Sequence, residues 1–549
     1  MPTPSPNRTD PSGLPERLLA GMTLAQTVGQ LLIIGFDGPA LSPELRAVIE
    51  QCYIGGVILS GLNGNIEGPQ QVAQLSVDLQ QAAAATGQPG LFMSIDQEGG
   101  RVARLKEAQG FTELPSAMAL AATGHVNNVR RAAQVFAREM KAVGLNVNFA
   151  PVLDVNVNPA NPVIGTRAYG SDPQRVAQYG VAFLKGLQDE GVLAIGKHFP
   201  GHGDTDIDSH VALPSVPHGR ARLEAVEFVP FRAAMAAGVA GIMSAHVTFP
   251  AFDGGGVPAT LSQTVLTGLL RDEWGYGGLL VTDSLEMGAL SKSLGLSPAQ
   301  AAAAALAAGA DLLLFNHDHD QHRQAHALIV QKVQRGEIPL ARLDQAVLRA
   351  LRAKERFNLL SPGLSDAALA ASQVFRHEDR ALADDLAAQS ITLLRDDSRL
   401  LPLAAEAHPV VLEIPALAGL GQLLGQAAII LNAQPSPAEI GEVVSRVGQG
   451  QPCIVGVADV TRSPGQIELV NALLRRGVPV VLVAARDPYD LLAFPAAPTL
   501  LATYASPPPS LRALAAVLTG QAKPGGHLPV ELPGLFPLGA GLDDFEQRN

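Results

Sequence analysis

Cysteine is almost missing from this sequence. Cys52 and Cys453 stand far apart and have no companions, which excludes a disulfide framework and a thiolate zinc site. An excess of positive charge is missing too: Lys+Arg 39 against Asp+Glu 51 leave a net charge of −12, so neither nucleic acid nor an anionic membrane surface is an expected partner. No uninterrupted apolar run reaches the length of a membrane span; even the alanine-rich stretch 299–316 is broken by Asp311. The opening "MPTPSPNRTDPSGLPERLL" lacks the apolar core of a signal peptide, so residues 1–20 read as a disordered tail and a cytoplasmic location is expected. GxGxxG and GxxxxGK[ST] loops are absent as well, which removes support for nucleotide binding. Nothing in the sequence marks an oligomeric state.

What is present is a large apolar fraction, 47% of 549 residues against 16% charged, enough for a sizeable core and more than one domain. Short apolar runs alternate with longer helical patterns from about residue 25: 31–37, 55–60, 90–96, 146–155, 192–199, 241–246, 278–284 and 310–316. Runs apolar on both faces suit buried parallel strands, and segments such as "NNVRRAAQVFAREMKAVG" supply the helices between them. Eight such units predict a (β/α)8 barrel over residues 21–357, with an open doubly wound sheet as the rival. Residues 358–374 read as a linker. A second alternating region, 375–535, predicts an α/β sandwich domain with a doubly wound sheet, beginning with a helix over "DRALADDLAAQSITLLRD". Residues 536–549 read as a C-terminal tail.

Ionisable and polar side chains gather at the C-terminal ends of the first eight runs: Asp96, Asp154, Lys197, His198, His246, Asp283 and Asn316. In a barrel those ends converge on one face, where active sites are built.

The densest cluster is "IGKHFPGHGDTDIDSH", residues 195–210. Three readings are open on the residues alone. His198 and His202 have the i, i+4 spacing of two metal ligands, although Pro200, Gly201 and Gly203 break any regular helix there. A solvated polar turn is the second reading. The third is acid–base chemistry, with the Asp208 carboxylate orienting His210 and leaving the other ring nitrogen free for proton transfer.

"KHFPGHGDTDIDSH" resembles the signature K-H-[FI]-P-G-[HL]-G-x4-D-[ST]-H of the β-N-acetylglucosaminidases in glycoside hydrolase family 3, matching every fixed position. "IDQEGGRVARL" (95–105), "FAPVLDVNVNP" (149–159), "IGTRAYG" (164–170) and "VTDSLEMGAL" (281–290) follow the family's order, and the 375–535 region resembles the second domain of its two-domain members.

The resemblance implies a retaining exo-β-N-acetylglucosaminidase acting on a small-molecule carbohydrate, with muropeptides or chitooligosaccharides as substrates, a place in peptidoglycan recycling, and neither metal nor organic cofactor. By motif position it implies Asp283 as the nucleophile, His210 as the general acid/base and Asp208 as its orienting partner. Asp96, Arg104, Arg167, Lys197 and His198 are implied sugar-binding residues. An ion pair between Asp96 and Arg104 is the bland alternative for those two. His246 and Asp154 are expected to support the site, while Glu286, His202, Asp204 and Asp206 are unassigned. The histidine-rich "NHDHDQHRQAH" (316–326) reads as the start of a surface helix.

Two rivals keep the fold: a β-glycoside phosphorylase, because a histidine acid/base carries no negative charge to repel phosphate, and a broader β-glycosidase. The barrel loop looks self-sufficient, so residues 1–360 are expected to be catalytically competent if stably folded.

Overall fold

Each of the eight apolar runs contributes a short strand, and the computed structural model, which describes residues 13–546 apart from positions 255, 317, 405 and 449, joins them into a parallel ring. The strands are β1 (Leu32–Ile34), β2 (Gly56–Leu59), β3 (Phe92–Ile95), β4 (Val147–Asn148), β5 (Leu193–Phe199), β6 (Gly241–Ser244), β7 (Leu279–Thr282) and β8 (Leu313–Phe315). They pair in chain order, β1 pairs with β8, and a parallel bridge between Val281 and Leu312 closes the ring. The open-sheet alternative therefore falls away for this half of the chain.

Alternation along each strand explains the runs. Ile33, Ile58, Phe92, Ile195 and Leu314 point into the barrel, while Leu32, Ile34, Val57 and Leu59 pack against the surrounding helices. Both faces are dry, so both must be apolar. Helix Pro173–Gln188 begins where Asp172 accepts a bond from the Arg175 N–H, the usual cap for an exposed amide end.

A second sheet follows: β9 (Thr392–Asp396), β10 (Val410–Glu413), β11 (Ala428–Ile430), β12 (Cys453–Val457), β13 (Val480–Ala484) and β14 (Thr499–Ala502). Their spatial order is β11-β10-β12-β13-β14-β9, all parallel except β9, which runs antiparallel at the edge. Alternate residues feed two separate cores, Val455, Leu482 and Leu500 on one face and Ile454, Val481 and Leu501 on the other, the pattern of a sheet covered on both sides.

Four expectations are corrected. The stretch taken as a tail before residue 21 is helical at Leu14–Gly21, because Leu19 is buried and Glu16 pairs with Arg352 at 2.7 Å; residues 1–12 lie outside the described residues. The segment read as one helix to Asp396 is a helix over His377–Ser390 followed by β9, since Ile391 and Leu393 enter a core that Ala387 and Val481 share. The linker contains helix Ala367–Gln373, whose buried Ala370 packs against the barrel. The C-terminal stretch is docked: Phe536 is buried and the Leu542 N–H donates to Leu393 at 2.8 Å, while residues 547–549 lie outside the described residues.

The domains share a core. Met118, Ala119 and Ala122 of the barrel belong to the same apolar cluster as Leu482 and Tyr504 of the second domain, and the Ser116 hydroxyl donates to the Tyr504 carbonyl at 3.0 Å. Among the described residues no helix is long and apolar enough to cross a membrane.

Candidate active site

A cavity of about 370 Å3 opens at the C-terminal ends of β1–β8. Asp96, Arg104, Arg167, Lys197, His198, His210 and Asp283 all line it. The eighth expected residue, Asp208, does not line it but bonds His210, which does. Among the described residues every lining residue falls between Ile58 and Asn316, so of these the barrel supplies the wall.

One side is a grid of charges. Lys197, at the end of β5, places its Nζ 2.7 Å from Asp96 Oδ1 and 2.6 Å from Glu98 Oε1. Arg167 grips the same Glu98 through two bonds of 2.8 Å. Burial opposes ionisation of Glu98, but the charges of Arg167 and Lys197 outweigh it and hold the carboxyl well below the usual range. Residue type alone does not single out Glu98, although its place two residues after Asp96 in "IDQEGG" is a usable signal. The expected alternative of an Asp96–Arg104 pair is not what forms: Asp96 takes Lys197, and among the described residues the Arg104 guanidinium has no carboxylate partner.

His198 is fixed from below. Its Nδ1 lies 2.7 Å from Asp154 Oδ2, and Arg167 Nη2 approaches its Nε2 at 3.3 Å. An Arg N–H can only donate, so Nε2 accepts and Nδ1 carries the proton toward Asp154. Asp154 also accepts the His202 N–H at 2.6 Å, tying the end of β5 to the loop beyond it. Burial raises its carboxyl, yet the hydrogen-bond donors that His198 and His202 turn toward it bring it below the ordinary value.

That loop is pinned in sequence. His202 bonds Thr205 Oγ1 through Nδ1 at 2.7 Å and Ser209 Oγ through Nε2 at 2.9 Å, and burial pushes its imidazole down to about 4. It is a neutral strut whose nitrogens are both taken by hydroxyls. Asp204 pairs with His218 near the loop's far end, and Asp206 is exposed. Asp208 Oδ1 accepts both the His210 N–H at 2.9 Å and its Nδ1–H at 2.8 Å. The Asp208 bond raises the His210 imidazole above its usual value; burial opposes this and the charge of Asp283 reinforces it.

Asp283 follows β7. Its Oδ1 accepts the Ser284 N–H at 2.7 Å, and His246 Nε2 donates to the Ser284 carbonyl at 2.8 Å. Burial opposes ionisation of Asp283, but His198, His246 and His210 together lower its carboxyl to about 2. Ser284 also lines the cavity, and its hydroxyl is buried and has no hydrogen-bond partner among the described residues. Nothing in the sequence singled it out. Glu286 accepts the Asn316 N–H at 2.8 Å, bracing the end of β8. In the histidine-rich stretch, His317 lies outside the described residues; helix His319–Gln334 forms there, with His322 fully buried and not at the surface as expected.

The arrangement offers an ionised carboxylate, a proton-carrying imidazole and a row of donors to hydroxyl groups around one small cavity. Comparison with known proteins points the same way. A family model described as "Glycosyl hydrolase family 3 N terminal domain" matches residues 23–353. The chain is 32% identical to Beta-hexosaminidase A of Pseudoalteromonas piscicida, covering 93% of this chain and 97% of that protein. It is also 32% identical to the Beta-N-acetylglucosaminidase/beta-glucosidase of Cellulomonas fimi, over 93% and 94%. A solved glycoside hydrolase family 3 beta-N-acetylglucosaminidase from Paenibacillus sp. str. FPU-7 superposes with a TM-score of 0.87 at 39% identity, covering 93% of this chain and 99% of that one.

Proposed function

Since this chain belongs to glycosyl hydrolase family 3 and is a glycoside hydrolase, we propose that it is a retaining exo-β-N-acetylglucosaminidase that removes terminal N-acetylglucosamine from muropeptides or chitooligosaccharides. The observation that carries the mechanism is the pair Asp283 and His210 on one cavity, their environments pushing one toward a stable anion and the other toward a retained proton.

In the first step the His210 imidazolium gives its proton to the glycosidic oxygen while an Asp283 oxygen bonds the anomeric carbon. The leaving group departs as an alcohol, and a glycosyl ester remains on Asp283. In the second step neutral His210 takes a proton from water, whose oxygen attacks the anomeric carbon and releases Asp283. Two inversions return the β configuration. Asp208 holds the imidazole in the tautomer that leaves Nε2 for this traffic. Asp96, Lys197, Arg167, His198 and Arg104 hold the sugar, with Glu98 and Asp154 fixing their positions.

The test is turnover of paired aryl N-acetylglucosaminide and aryl glucoside, with and without phosphate, followed by NMR. β-N-acetylglucosamine as the first-formed product supports the reading. An α product refutes retention, and a sugar 1-phosphate in phosphate buffer replaces hydrolysis by phosphorolysis. A broader β-glycosidase is a second reading, favoured by the double activity in the name of the Cellulomonas fimi relative; comparable turnover of the glucoside would establish it.

A further inference from the structure

The floor and the mouth of the active-site cavity differ in exposure and in chemistry. At the floor the side chains of Lys197 and His198 are 3% and 6% exposed, whereas that of His210 is 62% exposed. This gradient gives the substrate a direction. The sugar that bonds Lys197, His198 and Arg167 lies inward, and the glycosidic oxygen that meets His210 lies outward of it. Whatever leaves with that oxygen lies further out still, at the mouth.

Leu62 stands at that mouth. It lines the cavity yet is 88% exposed, and among the described residues no other lining residue is at once large, apolar and exposed. The apolar lining residues deeper down, Ile58, Met243 and Leu314, are buried in the barrel core. The turn that carries Leu62, Gly61–Asn63 after β2, is held on several sides. The Leu62 N–H donates to Ser60 Oγ at 3.3 Å and the Gly64 N–H to the Gly61 carbonyl at 3.3 Å. The Asn63 side-chain amide donates to the carbonyls of Phe36 and Asn316, each at 3.2 Å. The leucine is thus presented to solvent from a braced turn, which leaves its apolar surface in water until something covers it. Around the ring, β2 lies three strands from β5, where the His210 loop begins. It also lies three strands from β7, beyond which the Gly288 N–H pins that loop. Leu62 and His210 therefore face the mouth from opposite sides.

We propose that Leu62 is a leaving-group contact, which receives the C–H face of the sugar ring that departs with the glycosidic oxygen. The inference rests on the exo-glycosidase reading above and deepens it. A β-linked pyranose carries its hydroxyls around the ring edge and C–H groups on its faces. An isobutyl group laid on one face removes apolar surface from water on both partners and leaves no hydroxyl unpaired. The charged floor cannot make this contact, because its donors are turned to the inner sugar. Leu62 thereby favours leaving groups that contain a ring over those that do not.

The test uses the full-length chain as wild type, Leu62→Ser and Leu62→Met, with melting curves confirming that each is folded. Two substrates are compared: N,N′-diacetylchitobiose, which releases a sugar ring, and methyl β-N-acetylglucosaminide, which releases methanol. Inhibition by the free sugar, N-acetylglucosamine, reports on the floor alone. Cellobiose and methyl β-glucoside, with glucose as the free sugar, form a second set, so that a chain selective for glucosides is judged on the same contrast.

The expected result is a fall of about tenfold in kcat/KM for the disaccharide in Leu62→Ser, the worth of an aliphatic side chain partly withdrawn from water. The methyl glycoside and inhibition by the free sugar stay as in the wild type, and Leu62→Met restores the disaccharide rate. Turnover of the glucoside set alone would refute the N-acetylglucosaminide reading, while the same contrast within that set would still support Leu62. The proposal is overturned if Leu62→Ser keeps the wild-type rate on the disaccharide. It is equally overturned if that variant loses as much on the methyl glycoside, or if inhibition by the free sugar weakens in step.

Discussion

The backbone N–H of Gly288 donates to the carbonyl oxygen of His210 at 3.2 Å, and a β-carbon on Gly288 would lie 2.6 Å from that same oxygen. The segment after the proposed nucleophile and the loop bearing the proposed acid/base therefore meet backbone to backbone, leaving no room for a side chain. Gly288→Ala is expected to push His210 outward while the fold stays intact. Displacement of a catalytic group by about 1 Å can cost about a hundredfold in rate. Loss of that order in kcat on substrates with poor leaving groups, with a much smaller loss on activated aryl glycosides, is the expected result; equal losses on both would argue against it.

The pH profile follows from opposite shifts. Asp283, at about 2, is ionised throughout the working range, so it sets no limb near neutrality. His210 is raised by its Asp208 bond, and kcat/KM for substrates that need a proton falls as pH rises through that raised value. In Asp208→Asn the largest cause of the raise is gone, so the falling limb moves to lower pH and kcat drops by about a hundredfold or more as the tautomer is lost. An unmoved limb would remove His210 from the acid/base role.

Glu98 is 4% exposed and is clasped by Lys197 and Arg167. Glu98→Gln leaves two buried cations with one fewer counter-charge, a change that costs about 3–5 kcal/mol when a buried pair is broken. Lower stability in denaturant and a raised KM are expected together. The sign with pH is fixed: Glu98 has a lowered carboxyl, so its stabilising contribution is present above the ordinary glutamate value and is lost as pH falls through its native value in strong acid. Wild type and variant should therefore converge in stability at low pH.

Ser284 presents the opposite case, a buried hydroxyl beside the proposed nucleophile without a partner among the described residues. Such a group is costly in the folded state unless a ligand satisfies it. Ser284→Ala is expected to keep or slightly raise stability while increasing KM by about two- to tenfold, the worth of one neutral hydrogen bond. An unchanged KM would show that the hydroxyl does not meet the sugar.

Truncation after residue 360 tests the reach of the barrel. The cavity wall is complete without the second domain, but Met118, Ala119 and Ala122 lose the cluster that buries them. The shortened chain is expected to aggregate or to lose activity on concentration, measured by light scattering alongside turnover. A monodisperse truncation with full activity would show that the second domain is dispensable.

The eight barrel strands were legible because a strand buried on both faces has to be apolar throughout, and its polar end residue then marks the mouth. Asp283 and Lys197 were legible for the same reason, and the Asp208–His210 pair through a signature whose spacing is fixed. The edge strand β9 was not, because five residues fused to a helix carry no period of their own, and only pairing with β14 makes them a strand. Glu98, Ser284 and the strut His202 were also hidden. Their roles depend on which distant groups approach them, Arg167 from one loop, the cavity from another, Thr205 and Ser209 from a third turn. The sequence by itself determined the kinds of chemistry available and the order of the elements, since periodicity and residue type are local. Only the tertiary structure decided which charges pair, which hydroxyl is left without a partner among the described residues, and that a leucine faces the His210 loop across the mouth, because burial and distance between remote residues arise only when the chain closes on itself.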